Sequence, residues 1–162
     1  MVTAAPACKK ALSDATLRWP KRNRASDGII GDAAHKARKS DHNDGNAFDL
    51  THDPKNGVDC EELVKDVVWD FRVTYVIWNK QICFTDQPHR READESCTSP
   101  RYLGPEKNKS WEPYVGPNPH TKHMHVSIRD SVRDDVSPWP WSPDEKTLTD
   151  NRMGGPKATM GP

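Results

Sequence analysis

The stretch that decides the fold is HMHVSIR, residues 123–129. Polar and apolar side chains alternate strictly along it. Because successive side chains of a β-strand point to opposite faces of the sheet, this alternation predicts a half-buried strand. The apolar side carries Met124, Val126 and Ile128, and the polar side carries His123, His125 and Ser127. Two imidazoles are therefore expected on the polar face of this strand.

A second alternating run, AFDLTHD at residues 47–53, predicts another strand. Phe48 and Leu50 would share one face, so Asp49 would project away from them. Between the two runs, VTYVIWN at residues 73–79 is dense in β-branched and aromatic residues, which favours a buried, central strand.

Two helices are expected beside these strands. Apolar residues recur at three- and four-residue steps from Ala7 to Trp19, so a helix should end before Pro20. The run DCEELVKDVVWDFRV at residues 59–73 has the same spacing, with Asp59 as its N-cap. From Cys83 to Pro119 the sequence is polar and without period, which predicts a long loop.

The composition favours one domain with a small core. Only 33% of the 162 residues are hydrophobic, mean hydropathy is −0.94, and 14 prolines indicate much irregular backbone. We predict a domain over residues 1–137 and a disordered Pro/Gly-rich tail over residues 138–162. Within that tail the WPW motif at residues 139–141 could instead pack back on the domain.

Charge and hydropathy argue against several classes of function. The 24 basic and 24 acidic residues cancel, which argues against nucleic acid as the partner. No apolar run is long enough for a membrane span, and the N-terminus lacks the apolar region of a secretory signal. We therefore expect a chain made in the cytoplasm without a signal peptide. The four cysteines are either reduced core residues or two disulfides.

The two polar strand faces together predict one metal site. His42 and Asp49 bracket the first strand, His123 and His125 line the other, and Gly45 allows a tight turn between His42 and Asp49. A catalytic zinc ion typically takes three protein ligands from histidine and carboxylate, and leaves a position for water. Two histidines and one aspartate satisfy that count, so we expect a single Zn²⁺.

The residues of this site also resemble a known family. The stretch SDHNDGNAFD is similar to the SxHxxGxAxD signature of the D-alanyl-D-alanine carboxypeptidase (VanY-type) zinc peptidases, which belong with lysostaphin and sonic hedgehog to a larger group. The matching residues are Ser40, His42, Gly45, Ala47 and Asp49. The stretch HTKHMHVS resembles the HxDHxHVS signature of the same family. The matching residues are His120, His123, His125, Val126 and Ser127.

The resemblance implies that His42, Asp49 and His125 bind the zinc ion. It implies a phage endolysin-like peptidase that hydrolyses a D-Ala-type or L-Ala-D-Glu bond in peptidoglycan stem peptides. Such a protein would act at the bacterial cell wall after release, and we expect a monomer. His120 would stabilise the oxyanion, and Arg38 would hold a substrate carboxylate.

Two further residues are expected to support the ligands. Ser40 and His52 could hydrogen-bond the metal-binding side chains and fix their tautomers. Among the aromatic residues, Trp78, Trp111 and Tyr114 either line the cleft or belong to the core, and we favour the core for Trp78.

One position departs from the signature. Lys122 stands where the family has the acidic general base. A lysine is a poor base unless its pKa is strongly lowered, so His123 is the best substitute and His120 the next. The departure leaves two alternatives, a catalytically impaired zinc-binding protein of the same fold and a metal-dependent nuclease. The predicted fold is α+β, a small antiparallel sheet with the zinc site on one face and helices packed on the other.

Overall fold

The computed structural model describes residues 2–30, 41–85, 111–116 and 118–143. These residues form an α+β fold with a five-stranded antiparallel sheet and two α-helices, as predicted. The helices are α1 (Pro6–Arg18) and α2 (Cys60–Val67). The strands are β1 (Ala47–Thr51), β2 (Val73–Trp78), β3 (Gln81–Phe84), β4 (Trp111–Pro113) and β5 (His123–Ile128).

The last strand in sequence lies inside the sheet. The strand order is β1-β5-β2-β3-β4, so β5 pairs with β1 on one side and with β2 on the other. In this register Asp49 lies opposite His125, and Ile77 lies opposite His125 from the other side. Residues directly opposite on paired strands share a face of the sheet. The pairing therefore places Asp49 and His125 side by side.

One face of the sheet packs against the helices. Its strand residues are fully or almost fully buried in a single apolar cluster with α1 and α2, and they include Phe48, Leu50, Val76, Trp78, Met124 and Val126. The prediction that Trp78 belongs to the core is confirmed. Because side chains alternate along β1 and β5, Asp49 and His125 project from the opposite face. A smaller cluster of Tyr75, Ile77, Ile82 and Phe84 also lies apart from the helices.

Both predicted helices form, although the second is shorter than expected. Pro6 stands in the first turn of α1, where its missing N–H costs no hydrogen bond. Asp59 caps α2 by accepting a hydrogen bond from the backbone N–H of Glu61. The helix ends at Val67, while the helical spacing of apolar residues in the sequence continues to Phe71. Among the described residues no helix is long and apolar enough to cross a membrane.

Two short strands lie inside the region predicted as a long loop. β3 pairs with β2 through a hairpin whose turn residues, Asn79 and Lys80, have φ values of 52° and 69°. β4 then pairs with β3. The loop prediction is therefore wrong for Cys83–Phe84 and for β4, because strands of three or four residues are too short to show a period. Residues 86–110 lie outside the described residues.

The core also extends past the predicted domain boundary at residue 137. Trp139 and Trp141 are 0% and 1% exposed, and their indole N–H groups donate to the backbone carbonyls of Ala7 and Ala11 in α1. Residues 138–142 are thus part of the domain, and the tail assignment is wrong for them. Residues 144–162 lie outside the described residues.

Arg72 explains why this segment is held. Its guanidinium is fully buried, forms two hydrogen bonds to the carboxylate of Asp70, and donates to the carbonyls of Asp135 and Ser137. It also lies 3.8 Å from the ring centroid of Trp139. A cation over an aromatic face is stabilising, and more so when desolvated.

Replacing Trp139 by alanine should test the extended domain. Trp139→Ala removes a fully buried ring and one face of the Arg72 contact, so the free energy of unfolding should fall by about 3–5 kcal/mol. Trp69, which is 38% exposed, is the matched control, and Trp69→Ala should cost less. Equal stability of the two variants in urea denaturation would contradict the burial of Trp139 in the core.

Candidate metal centre

The site is built around Asp49, on the face of the sheet that lies opposite the helices. Asp49 is only 8% exposed. Its Oδ1 atom lies 3.4 Å from Nδ1 of His125, the residue opposite it on β5. A carboxylate removed from water needs charged or hydrogen-bonding partners, because burial penalises its ionised form. Strand pairing alone supplies the first of these partners.

The second partner, His42, comes from a short 3₁₀ helix, Asp41–Asp44, immediately before β1. Gly45 follows this helix with φ of +75°, and a Cβ there would collide with the carbonyl oxygen of Thr3. Glycine is thus required for the turn that connects His42 to β1. His42 is 3% exposed, and its Nε2 atom lies 3.2 Å from Oδ1 of Asp49.

The other ring nitrogen of His42 is fixed by the backbone. Nδ1 lies 2.7 Å from the carbonyl oxygen of Ile29, which can only accept a hydrogen bond, so Nδ1 carries the proton. The carbonyl is positioned because Gly28 and Asp49 exchange two backbone hydrogen bonds at the edge of β1. In the neutral ring Nε2 is therefore the lone-pair nitrogen, and it faces a carboxylate oxygen. Two acceptors at this distance need a proton or a cation between them.

Ser127 orients His125 in a similar way. Its hydroxyl lies 2.7 Å from Nε2 of His125, and both side chains are buried. A hydroxyl can donate or accept, so it can satisfy Nε2 in either tautomer while Nδ1 faces Asp49. Ser127 matches the second signature, but the motif by itself predicts no role for it. Its place two residues after His125, on the same face of a strand, was the available signal.

These contacts shift the pKa values of Asp49 and His42. Burial alone would raise the pKa of Asp49, but hydrogen bonds from His125 and His42 and their charges hold it well below its usual range. Burial alone would lower the pKa of His42, but the hydrogen bond and charge of Asp49 raise it above its ordinary value. The folded protein therefore favours a negative Asp49 with positive charge beside it.

His42, Asp49 and His125 could together hold a metal ion. All three are buried, and one ligand atom from each lies within 4.8 Å of the others. A metal ion that replaces the proton on Nε2 of His42 would meet a lone pair there and an ionised carboxylate beside it, which are the forms that metals bind. Two imidazoles and one carboxylate suit divalent ions of the zinc, cobalt and iron group. The three predicted ligands thus lie together in the structure.

A second set shares the same aspartate. Asp49, His120 and His123 also have ligand atoms within 4.8 Å of one another. Nε2 of His123 lies 3.5 Å from Oδ2 of Asp49, and the His123 side chain is 13% exposed. The rings of His120 and His123 are 5.1 Å apart. All four histidines of the two signatures therefore surround one carboxylate.

His120 is held in an uncommon conformation. Its φ is +57°, its backbone N–H donates to the side chain of Asn118, and its carbonyl accepts from the N–H of Asn79 in the β2–β3 turn. Burial, with repulsion from His125 and His123, lowers the pKa of His120 to about 3. Its imidazole is therefore neutral at ordinary pH.

The remaining predicted residues have different outcomes. His52 lies away from the cluster: its Nδ1 accepts a hydrogen bond from the backbone N–H of Cys60 at the start of α2, and its ring contacts Trp78. The expectation that it supports a ligand is not met, because His52 follows Thr51 on β1 and points to the helix side. Lys122 is exposed and belongs to neither triplet. Arg38 and Ser40 lie outside the described residues.

Trp111 and Tyr114 lie in different parts of the structure. Trp111 packs against the main core cluster beside the helices. Tyr114 packs against the smaller cluster, and its ring lies 5.6 Å from that of His120. Tyr114 is therefore the one that borders the site.

The chain was compared with models of protein families, with curated proteins and with solved structures. None of the three comparisons found a match. The similarity to the peptidase signatures is thus a resemblance of two short motifs, whose residues meet at Asp49.

Proposed function

We propose that this chain is a zinc-dependent peptidase that hydrolyses a peptide bond in bacterial peptidoglycan stem peptides, in the manner of an endolysin. The observation that supports this best is the meeting of both motif halves at one buried carboxylate. His42 and Asp49 come from the first motif and His125 from the second, and their ligand atoms lie within 4.8 Å of one another. Strands that pair only by chance would not bring three such donors together.

Zinc is the ion we favour, with His42, Asp49 and His125 as its ligands. When bound, Zn²⁺ polarises a carbonyl group and lowers the pKa of water to about 7. The carbonyl of Ile29 fixes the tautomer of His42, and the hydroxyl of Ser127 fixes the orientation of the His125 ring. Fixed orientation of this kind raises metal affinity.

His123 is the residue we assign as general base. Its side chain is 13% exposed, more than the 4% of His42 and the 5% of His125, so it lies nearest the surface of the three. On taking a proton from the attacking water it becomes an imidazolium ion. Oδ2 of Asp49, 3.5 Å from Nε2, stabilises that positive charge. The base therefore does not require an acid at the position of Lys122.

His120 is assigned to the oxyanion. Because burial keeps its ring neutral, it acts as a hydrogen-bond donor to the carbonyl oxygen that gains charge. Tyr114 borders the same ring. Arg38 stays a prediction for the substrate carboxylate.

The proposal includes a place of action and a state of assembly. The substrate would be a stem peptide of the cell wall, reached after release of the protein, and the enzyme would act as a monomer. A rival function, a zinc-binding protein of impaired catalysis, is favoured by one observation. Lys122 is exposed and supplies no acid to either triplet.

Two substitutions separate the metal ligands from the base. His42→Ala should lose bound zinc, whereas His123→Ala should keep it and lose turnover by about 10²–10⁴-fold, the usual contribution of a general base. Lys122→Ala, its exposed neighbour, is the control and should stay active. Metal content and mass spectrometry of digested peptidoglycan give both answers and identify the bond that is cut.

The outcomes discriminate between the proposals. Turnover retained in His123→Ala would remove that residue as base. Zinc bound tightly by a wild-type protein that leaves peptidoglycan intact would favour the impaired protein instead.

Ser127 offers a further test of the site. Ser127→Ala leaves Nε2 of His125 without its hydrogen bond, so zinc affinity should fall by about 10–100-fold. Ser131, an exposed serine nearby, is the matched control, and Ser131→Ala should bind zinc as the wild type does. Competition with a chromogenic chelator measures both constants. Equal affinities would show that Ser127 does not orient the ligand.

A further inference from the structure

We propose that the cluster binds two divalent cations at once, with Asp49 as the carboxylate that bridges them. The first cation lies with His42 and His125, and the second lies with His120 and His123. This goes beyond the single zinc ion of the proposed function, and the binding of two ions does not depend on which reaction the protein catalyses.

The two oxygens of Asp49 face different histidines. Oδ1 lies 3.2 Å from Nε2 of His42 and 3.4 Å from Nδ1 of His125. Oδ2 lies 3.5 Å from Nε2 of His123. An ionised carboxylate has about four lone-pair sites on its two oxygens, so each oxygen can serve a different cation.

His120 carries the strongest sign of a missing partner. It is only 6% exposed, and its buried Nδ1 atom has no hydrogen-bond partner among the described residues. A buried polar atom without a partner costs about 1–3 kcal/mol. The backbone of His120 is also held in the left-handed region, where a non-glycine residue costs about 1–3 kcal/mol. Two unfavourable features at one residue are explained if a cation completes the site.

The fold holds this residue from several sides. Asn79 donates to its carbonyl over 2.7 Å, and Lys80 donates to the carbonyl of Pro119 over 2.8 Å. Asn118 accepts from its N–H. His120 is thus anchored to the β2–β3 turn, with its ring beside those of His123 and His125.

The two positions should differ in affinity. Cations in two-metal sites lie about 3.5–4 Å apart and repel each other, and here they share a single carboxylate. The position of His42 and His125 fills first, because Ile29 and Ser127 already hold both rings in place. The second position is weaker and fills at higher metal concentration. Under the proposed function His123 is the general base and His120 stabilises the oxyanion, so a second zinc ion bound to both would inhibit peptide hydrolysis. Only this consequence rests on the proposed function.

The test is the number of ions bound. Metal-free full-length protein is dialysed against rising concentrations of Zn²⁺ alone, and bound zinc is measured by mass spectrometry of the metal. The wild type should reach two ions per chain in two separate steps. His120→Gly, which accepts the positive φ and removes the ring, should keep the tighter step and lose the weaker one. His42→Ala should lose the tighter step.

A matched control and a second measurement complete the test. His52→Gln removes an imidazole outside the cluster and should still bind two ions. With Co²⁺ in place of zinc, two bridged ions should couple magnetically, and His120→Gly should show the spectrum of an isolated ion. Saturation of the wild type at one ion per chain would overturn the proposal. So would two ions bound by a folded His120→Gly variant, because the second ion would then lie elsewhere.

Discussion

The buried negative charge of Asp49 is the constraint on which the site depends. A carboxylate this far from water is tolerated only where cations or hydrogen-bond donors surround it, and three imidazoles do so. They come from two elements, His42 from the 3₁₀ helix and His123 and His125 from β5. Loss of Asp49 would leave these rings packed together without the negative charge that attracts each of them.

The alternation of side chains along β1 and β5 produces both this polar cluster and the apolar core. The same β1 and β5 residues that turn Phe48 and Met124 toward the helices turn Asp49 and His125 the other way. A shift of one residue in the β1–β5 pairing would bury the histidines under α1 and expose the core side chains. Fold stability and site geometry therefore depend on one register, which explains how a chain with only 33% hydrophobic residues can specify both.

Sequence predicts the parts of this structure that have a period. β1, β2, β5 and both helices follow from alternation or helical spacing, and the triplet of His42, Asp49 and His125 is the one that the resemblance to the two signatures implies. The rest depends on distant contacts. β4 is three residues long and exists through its pairing with β3. Trp139 is buried because Arg72 and α1 receive it, which no local pattern of a Pro-rich segment reveals. His52 lies outside the cluster because neighbouring side chains along a strand point to opposite faces, and its ring lies on the helix side against Trp78.

The strand order has a consequence for how the chain matures during synthesis. Among the described strands β5 is the last to be made, and it lies between β1 and the other three. Until residue 128 has left the ribosome, β1 and β2 have no common neighbour among these strands, and His123 and His125 cannot take their places beside Asp49. A nascent or prematurely ended chain therefore cannot assemble the cluster. The chemistry of this protein becomes available in one late event, when β5 inserts between two strands that were made before it.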